Sequence, residues 1–72
     1  MGPLPFGRRL KPGEQRAPKG MFRIVAYFGD HMYRVSDERT LRDAGIKAAQ
    51  QTLSVQVFDD TGTPRLSAGG SQ

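Results

Sequence analysis

A turn at Phe28-Gly29-Asp30-His31 separates two short apolar runs, and it constrains the fold more than any other feature. Glycine at the first central position favours a two-residue hairpin of type II′, because that turn needs a positive φ there. The runs on either side, residues 21–28 and 31–35, are rich in β-branched and aromatic side chains. The sequence therefore predicts a hairpin of two antiparallel strands.

The turn also predicts which side chains share a face of the sheet, because paired residues of an antiparallel hairpin point the same way. The expected pairs are Phe28 with His31, Ala26 with Tyr33, and Ile24 with Val35. The predicted core face comprises Phe22, Ile24, Ala26, Phe28, Tyr33 and Val35. The opposite face comprises Arg23, Val25, Tyr27, Met32 and Arg34.

A helix is predicted over residues 40–52, where small and apolar residues recur at helical spacing. The predicted face comprises Leu41, Ala44, Gly45, Ala48, Ala49 and Thr52. Because these side chains are small, the helix should lie close against the sheet. Ser36 or Asp37 is the predicted N-cap.

Residues 53–58 alternate between apolar and polar side chains, which predicts a third, half-buried strand. A brief fourth strand over residues 64–66 is restricted to an edge by Pro64. A right-handed crossover makes the third strand parallel to the second, so the first strand should lie in the middle. The predicted fold class is α+β, a small ββαβ(β) sheet with one helix packed on one face.

The net charge of the chain, +4, resides entirely in residues 1–20, since six basic and six acidic residues cancel from Met21 onward. The basic residues of this segment are Arg8, Arg9, Lys11, Arg16 and Lys19. Four of the five prolines also lie here, which predicts a flexible, disordered arm ahead of a domain at 21–66 and a disordered tail at 67–72.

Three interpretations of the arm stay open. The basic residues suit an electrostatic tether to nucleic acid or another polyanion. The arm could equally serve only to keep a small protein in solution. Alternatively, Met21 is the biological start and the preceding residues are an extension.

The sequence contains little that would form a catalytic site or a metal-binding site. The chain has no cysteine, which excludes disulfides, thiolate metal sites and a catalytic thiol. The single histidine, His31, sits at the predicted turn without strong co-ligands or a nucleophile. Residues 59–62 lack the alternate ligand spacing of a calcium loop. We therefore expect no enzymatic activity, no cofactor and no small-molecule substrate.

Length and apolar content set the expected class. No apolar run approaches the roughly 20 residues of a membrane helix, and prolines interrupt the N-terminus where a signal peptide would be apolar. A cytoplasmic protein is expected. Because small domains without disulfides commonly gain stability by association, a homodimer or a protein partner is expected too.

The face opposite the helix is the predicted docking surface. Its residues, joined by one from the third strand, are Arg23, Tyr27, Met32, Arg34 and Phe58. Arginine, tyrosine, phenylalanine and methionine are enriched at interface centres, which favours a non-enzymatic interaction module. The alternative is a nucleic-acid-binding protein, in which bases stack on Tyr27 and Phe58. Arg23 and Arg34 would then contact phosphates, and the basic arm would add affinity.

Overall fold

The computed structural model describes residues 7–69, which form a five-stranded antiparallel sheet with one helix packed against it. Its elements are β1 (Arg9–Leu10), β2 (Phe22–Phe28), β3 (His31–Glu38), α1 (Leu41–Ala49), β4 (Ser54–Phe58) and β5 (Pro64–Gly69). The strands lie side by side in the order β1-β3-β2-β4-β5. The predicted α+β class is confirmed.

The β2–β3 hairpin follows the turn that the sequence predicts. Gly29 has a φ of 61°, and no residue other than glycine has a positive φ within residues 7–69, as a type II′ turn requires. Phe28 pairs with His31 and Ala26 with Tyr33. Because β3 and β4 are both antiparallel to β2, they run parallel to each other, with β2 in the middle as predicted.

A β-bulge changes the register beyond Val25. Ile24 pairs with Ser36, so Val35 is the extra residue and the predicted Ile24–Val35 pair is wrong. The bulge brings Asp37 opposite Arg23, on the face away from the helix. With the unbulged register, Asp37 would have been placed on the helix side of the sheet.

The helix begins later and ends earlier than predicted. Its N-cap is Thr40, whose hydroxyl accepts a hydrogen bond from the backbone N–H of Asp43 at 3.0 Å. The predicted caps, Ser36 and Asp37, belong instead to β3. Ala44 and Ala48 are fully buried against the sheet as expected, whereas Ala49 and Thr52 of the predicted face are exposed.

The first core lies between this helix and the sheet. Its buried members are Ile24, Ala26, Ala44, Ala48, Val55 and Val57. Phe28 was expected here, but it is 54% exposed. The reason is length: a helix of nine residues spans about 13 Å, whereas a strand of seven residues spans about 23 Å. The hairpin end of the sheet is therefore left uncovered by the helix.

The opposite face of the sheet is covered by residues 7–20, which we call the strap. Its strand β1 pairs with β3, and Leu10 and Ala17 are 3% and 5% exposed. Leu10 forms a second core with Val25 and Phe58. The predicted disordered arm is therefore wrong for residues 7–20, because Leu10 finds apolar partners; residues 1–6 lie outside the described residues.

The C-terminal strand is longer than the sequence indicates. Residues 67–69 were expected in a disordered tail, but they pair with Gln56, Val55 and Ser54 of β4. Pro64 begins β5, and β5 is an edge strand as predicted. Residues 70–72 of the predicted tail lie outside the described residues. Within residues 7–69 the helix is neither long nor apolar enough to cross a membrane.

Leu10→Ala tests whether the strap is part of the core. Truncating this buried side chain should lower the free energy of unfolding by about 2–3 kcal/mol, measured by urea denaturation. Leu66→Ala is the matched control, because Leu66 is 38% exposed and should lose less than about 1 kcal/mol. Equal losses in the two variants would contradict the second core.

Candidate nucleic-acid interface

The five residues of the predicted docking surface do share one face, but that face is closed. Phe58 is 6% exposed, and Tyr27 and Met32 are half-buried against the second core. The prediction of an open sheet face is therefore wrong. The face is closed because Leu10 of the strap packs onto it.

Arg23 is a structural residue of this face. Its Nε and Nη2 donate to the two carboxylate oxygens of Asp37 at 2.8 and 3.1 Å, and its Nη1 donates to the carbonyl oxygen of Glu14 at 2.7 Å. The Arg23 and Asp37 side chains are only 12% and 14% exposed. Hydrogen bonding to Asp37 raises the pKa of Arg23. Arg23 thus joins β2, β3 and the strap.

Tyr27 and Arg34 are also engaged within the chain. The Tyr27 hydroxyl donates to Oε1 of Gln56 at 2.7 Å, and burial raises the pKa of Tyr27. Nη1 of Arg34 lies 3.4 Å from Oδ2 of Asp37, and the Arg34 side chain remains 37% exposed. These contacts stabilise the face and leave little of it for a partner.

A tight turn holds the first half of the strap. The backbone N–H of Glu14 donates to the carbonyl of Lys11 at 2.9 Å, and the N–H of Lys11 donates to the Glu14 carboxylate at 2.8 Å. The Lys11 N–H, together with the nearby Arg8 guanidinium, lowers the pKa of Glu14. This reciprocal pair fixes the backbone between Lys11 and Glu14.

The second half of the strap is anchored to the β4–β5 turn. The N–H of Ala17 donates to the carbonyl of Asp59 at 3.1 Å, and the N–H of Gly20 donates to the Asp60 carboxylate at 2.8 Å. The Asp59 carboxylate accepts from Thr61 and Thr63, which lowers its pKa to about 2. Both acids of this turn are therefore occupied by their own hydrogen bonds.

The basic side chains of the strap are left accessible by this arrangement. Within residues 7–69, ion pairs involve only Arg8, Arg23, Arg34 and Arg65. The remaining strap cations are all exposed: Arg9, Lys11, Arg16 and Lys19. An open groove of about 390 Å³ lies beside β1, lined in the described part of the chain by Arg9, Leu10, Lys11 and Pro12. A fixed backbone therefore presents exposed cations that form no ion pair within the described residues.

The described residues offer little for metal chemistry. No group of three or more histidine, aspartate or glutamate side chains in the range 7–69 could hold a metal ion. His31 begins β3 beside the turn and is half-buried.

Sequence reasoning misplaced two residues that bear on the site. Leu10 was assigned to the disordered arm, although it anchors the strap, because a leucine between Arg9 and Lys11 forms no periodic apolar pattern that could reveal this. Phe28 was assigned to the core, although it is exposed.

The chain matches no protein-family model, no curated protein and no solved structure.

Arg23→Ala tests the structural role of that arginine. It should cost about 3 kcal/mol in the free energy of unfolding, because Asp37 and the Glu14 carbonyl would lose a partner whose side chain is only 12% exposed. Arg34→Ala is the matched control, since its single longer contact to Asp37 is partly exposed and worth under about 1 kcal/mol. Chemical denaturation measures both, and a smaller loss for Arg23→Ala than for Arg34→Ala would contradict this assignment.

Proposed function

We propose that the protein binds nucleic acid without sequence preference, through the exposed cations of the strap. The observation that carries this proposal is that the strap combines an anchored backbone with exposed cations. The strap backbone is hydrogen-bonded to the sheet at both ends, while Arg9, Lys11, Arg16 and Lys19 are exposed and form no ion pair in the described structure. Such a surface attracts a phosphate backbone over its whole length.

The ordered strap also favours affinity. A disordered arm loses conformational entropy when it binds, whereas a backbone already held by Glu14 and Asp59 loses less. Binding then releases the counterions condensed on the nucleic acid, which is the main source of sequence-independent affinity. The net charge of +4 adds a long-range attraction of the same sign.

This proposal replaces docking through the sheet face opposite the helix, because Phe58 is buried there and Arg23 is bonded to Asp37 with its side chain only 12% exposed. It retains the basic arm as the binding element, now as an ordered segment over residues 7–20. No catalytic step is part of the proposal, and the protein is proposed to act as a binding module.

Fluorescence anisotropy of a labelled oligonucleotide tests the proposal. If the four exposed strap cations each contact a phosphate, raising NaCl from 50 to 200 mM should weaken binding to a single strand about 50-fold. The double variant Arg9→Gln, Lys11→Gln should lower the slope of log affinity against log salt by about 1.4. Arg39→Gln, Arg42→Gln is the control, since it removes the same charge from exposed positions outside the strap. Equal effects of the two double variants would contradict the strap as the binding segment.

Self-association is a second candidate function, favoured by the free edge of β5. In the described part of the chain β5 pairs only with β4, and Leu66 and Ile46 are 38% and 53% exposed. Leu66 packs beside the helix at Gly45. A Cβ atom added to Gly45 would lie 3.2 Å from Cδ1 of Leu66. Two β5 strands pairing about a two-fold axis would extend the sheet and cover Leu66.

Sedimentation equilibrium over a range of protein concentrations tests this second candidate. Leu66→Lys should shift a concentration-dependent dimer toward monomer, because it places a charge in the apolar part of the contact. Thr63→Lys adds the same charge in the preceding turn and should leave the dimer unchanged. A wild-type protein that is monomeric at every concentration would exclude this candidate.

A further inference from the structure

Among residues 7–69, the helix side of the sheet has a surface at its hairpin end that the helix does not cover. Phe28 pairs with His31, and Arg9 and Ala26 both pair with Tyr33, so the side chains of these residues share that face. Phe28 is 54% exposed and Tyr33 is half-buried. We call the set of Phe28, His31, Tyr33 and Arg9 the hairpin platform.

The helix ends before it reaches this surface. It begins after β3, runs back toward the hairpin and stops at Ala49, so the core beneath it includes Ala26 but not Phe28. The Gly45 side of the helix faces Leu66 of β5. Lys47, two residues on and therefore about 200° around the helix, lies on the flank toward β3. An exposed cation thus stands on the helix flank nearest the platform.

The chemistry of the platform combines an aromatic ring with positive charge. Arg9 lies directly across from Tyr33 and also borders the groove beside β1. Exposed aromatic rings stack on nucleic-acid bases of any sequence, and neighbouring cations hold the phosphates. Because Arg9 belongs both to the strap and to the platform, the two surfaces are continuous.

We infer that the hairpin platform selects single-stranded nucleic acid, with one base stacked on Phe28 and Arg9 on an adjacent phosphate. This inference rests on the proposed function and names its preferred ligand. In a duplex the faces of the bases are stacked on each other, so Phe28 can reach only an unpaired base. A second protein copy is a poorer occupant, since one exposed ring supplies little of the roughly 800 Å² per partner that a stable interface buries.

Substitution of Phe28 separates stacking from charge. Phe28→Ala in the full chain should weaken binding of a fluorescein-labelled single-stranded oligothymidylate about 5- to 150-fold, with affinity for a duplex of equal length and for heparin unchanged. Ile46→Ala is the matched control, because Ile46 is 53% exposed and lies outside the platform. Circular dichroism and urea denaturation establish that both variants are folded.

Phe28→Trp provides a direct signal of stacking. The larger ring should preserve or increase the affinity for the oligothymidylate, and its fluorescence should be quenched when the bases bind. Heparin carries anionic groups without bases, so it should bind through the strap and leave the tryptophan fluorescence unchanged. Quenching by heparin equal to that by the oligonucleotide would overturn the stacking inference.

The outcomes distinguish the inference from the function on which it rests. If Phe28→Ala and Ile46→Ala bind the single strand equally well, the platform is not the base site, although binding through the strap stands. If wild-type protein binds neither oligonucleotide, duplex nor heparin, the proposed function is wrong and the inference falls with it. If Phe28→Ala changes the sedimentation of the protein alone, the platform is a contact between copies and the inference is overturned.

Discussion

The guanidinium group of Arg23 is the contact on which the strap face of this protein depends. It holds Asp37 across the β2–β3 ladder and the carbonyl of Glu14 above it, with both charged side chains largely withdrawn from solvent. The pair exists only because Val35 bulges and turns Asp37 to that side. One extra residue in a strand therefore places Asp37 beside the largely shielded Arg23, and Arg23 in turn holds the strap through the carbonyl of Glu14.

The architecture of the sheet was largely predictable from local patterns. The turn at Gly29 and the alternation of β2 place Arg23, Tyr27 and Phe58 on the same face, as the sequence indicates. The bulge was not predictable, since neither residue type nor spacing at Val35 marks it. The helix start was misjudged because Asp37 suits a cap by its chemistry, and only the position of Arg23 in the folded protein shows why it serves elsewhere.

The candidate site was predictable in its charges and not in its shape. The cations of residues 8–19 can be counted from the sequence, and they are exposed as any basic segment would be. Their ordering depends on long-range contacts of Leu10, Glu14 and Ala17, which composition cannot reveal. The exposure of Phe28 was also not predictable. Helical periodicity in the sequence continues to residue 52, whereas the helix ends at Ala49 and so does not cover Phe28.

The strap has a consequence for how this molecule behaves in solution. The same fourteen-residue stretch, 7–20, both shields the apolar side chains of one sheet face and carries the surplus of positive charge. A chain starting at Met21 would have no net charge and would expose the apolar side chains that the strap covers. It would therefore lose both the electrostatic repulsion between molecules and the shielding of its apolar surface. Proteolytic removal of the strap would thus cause precipitation and would not give a shorter protein that stays in solution.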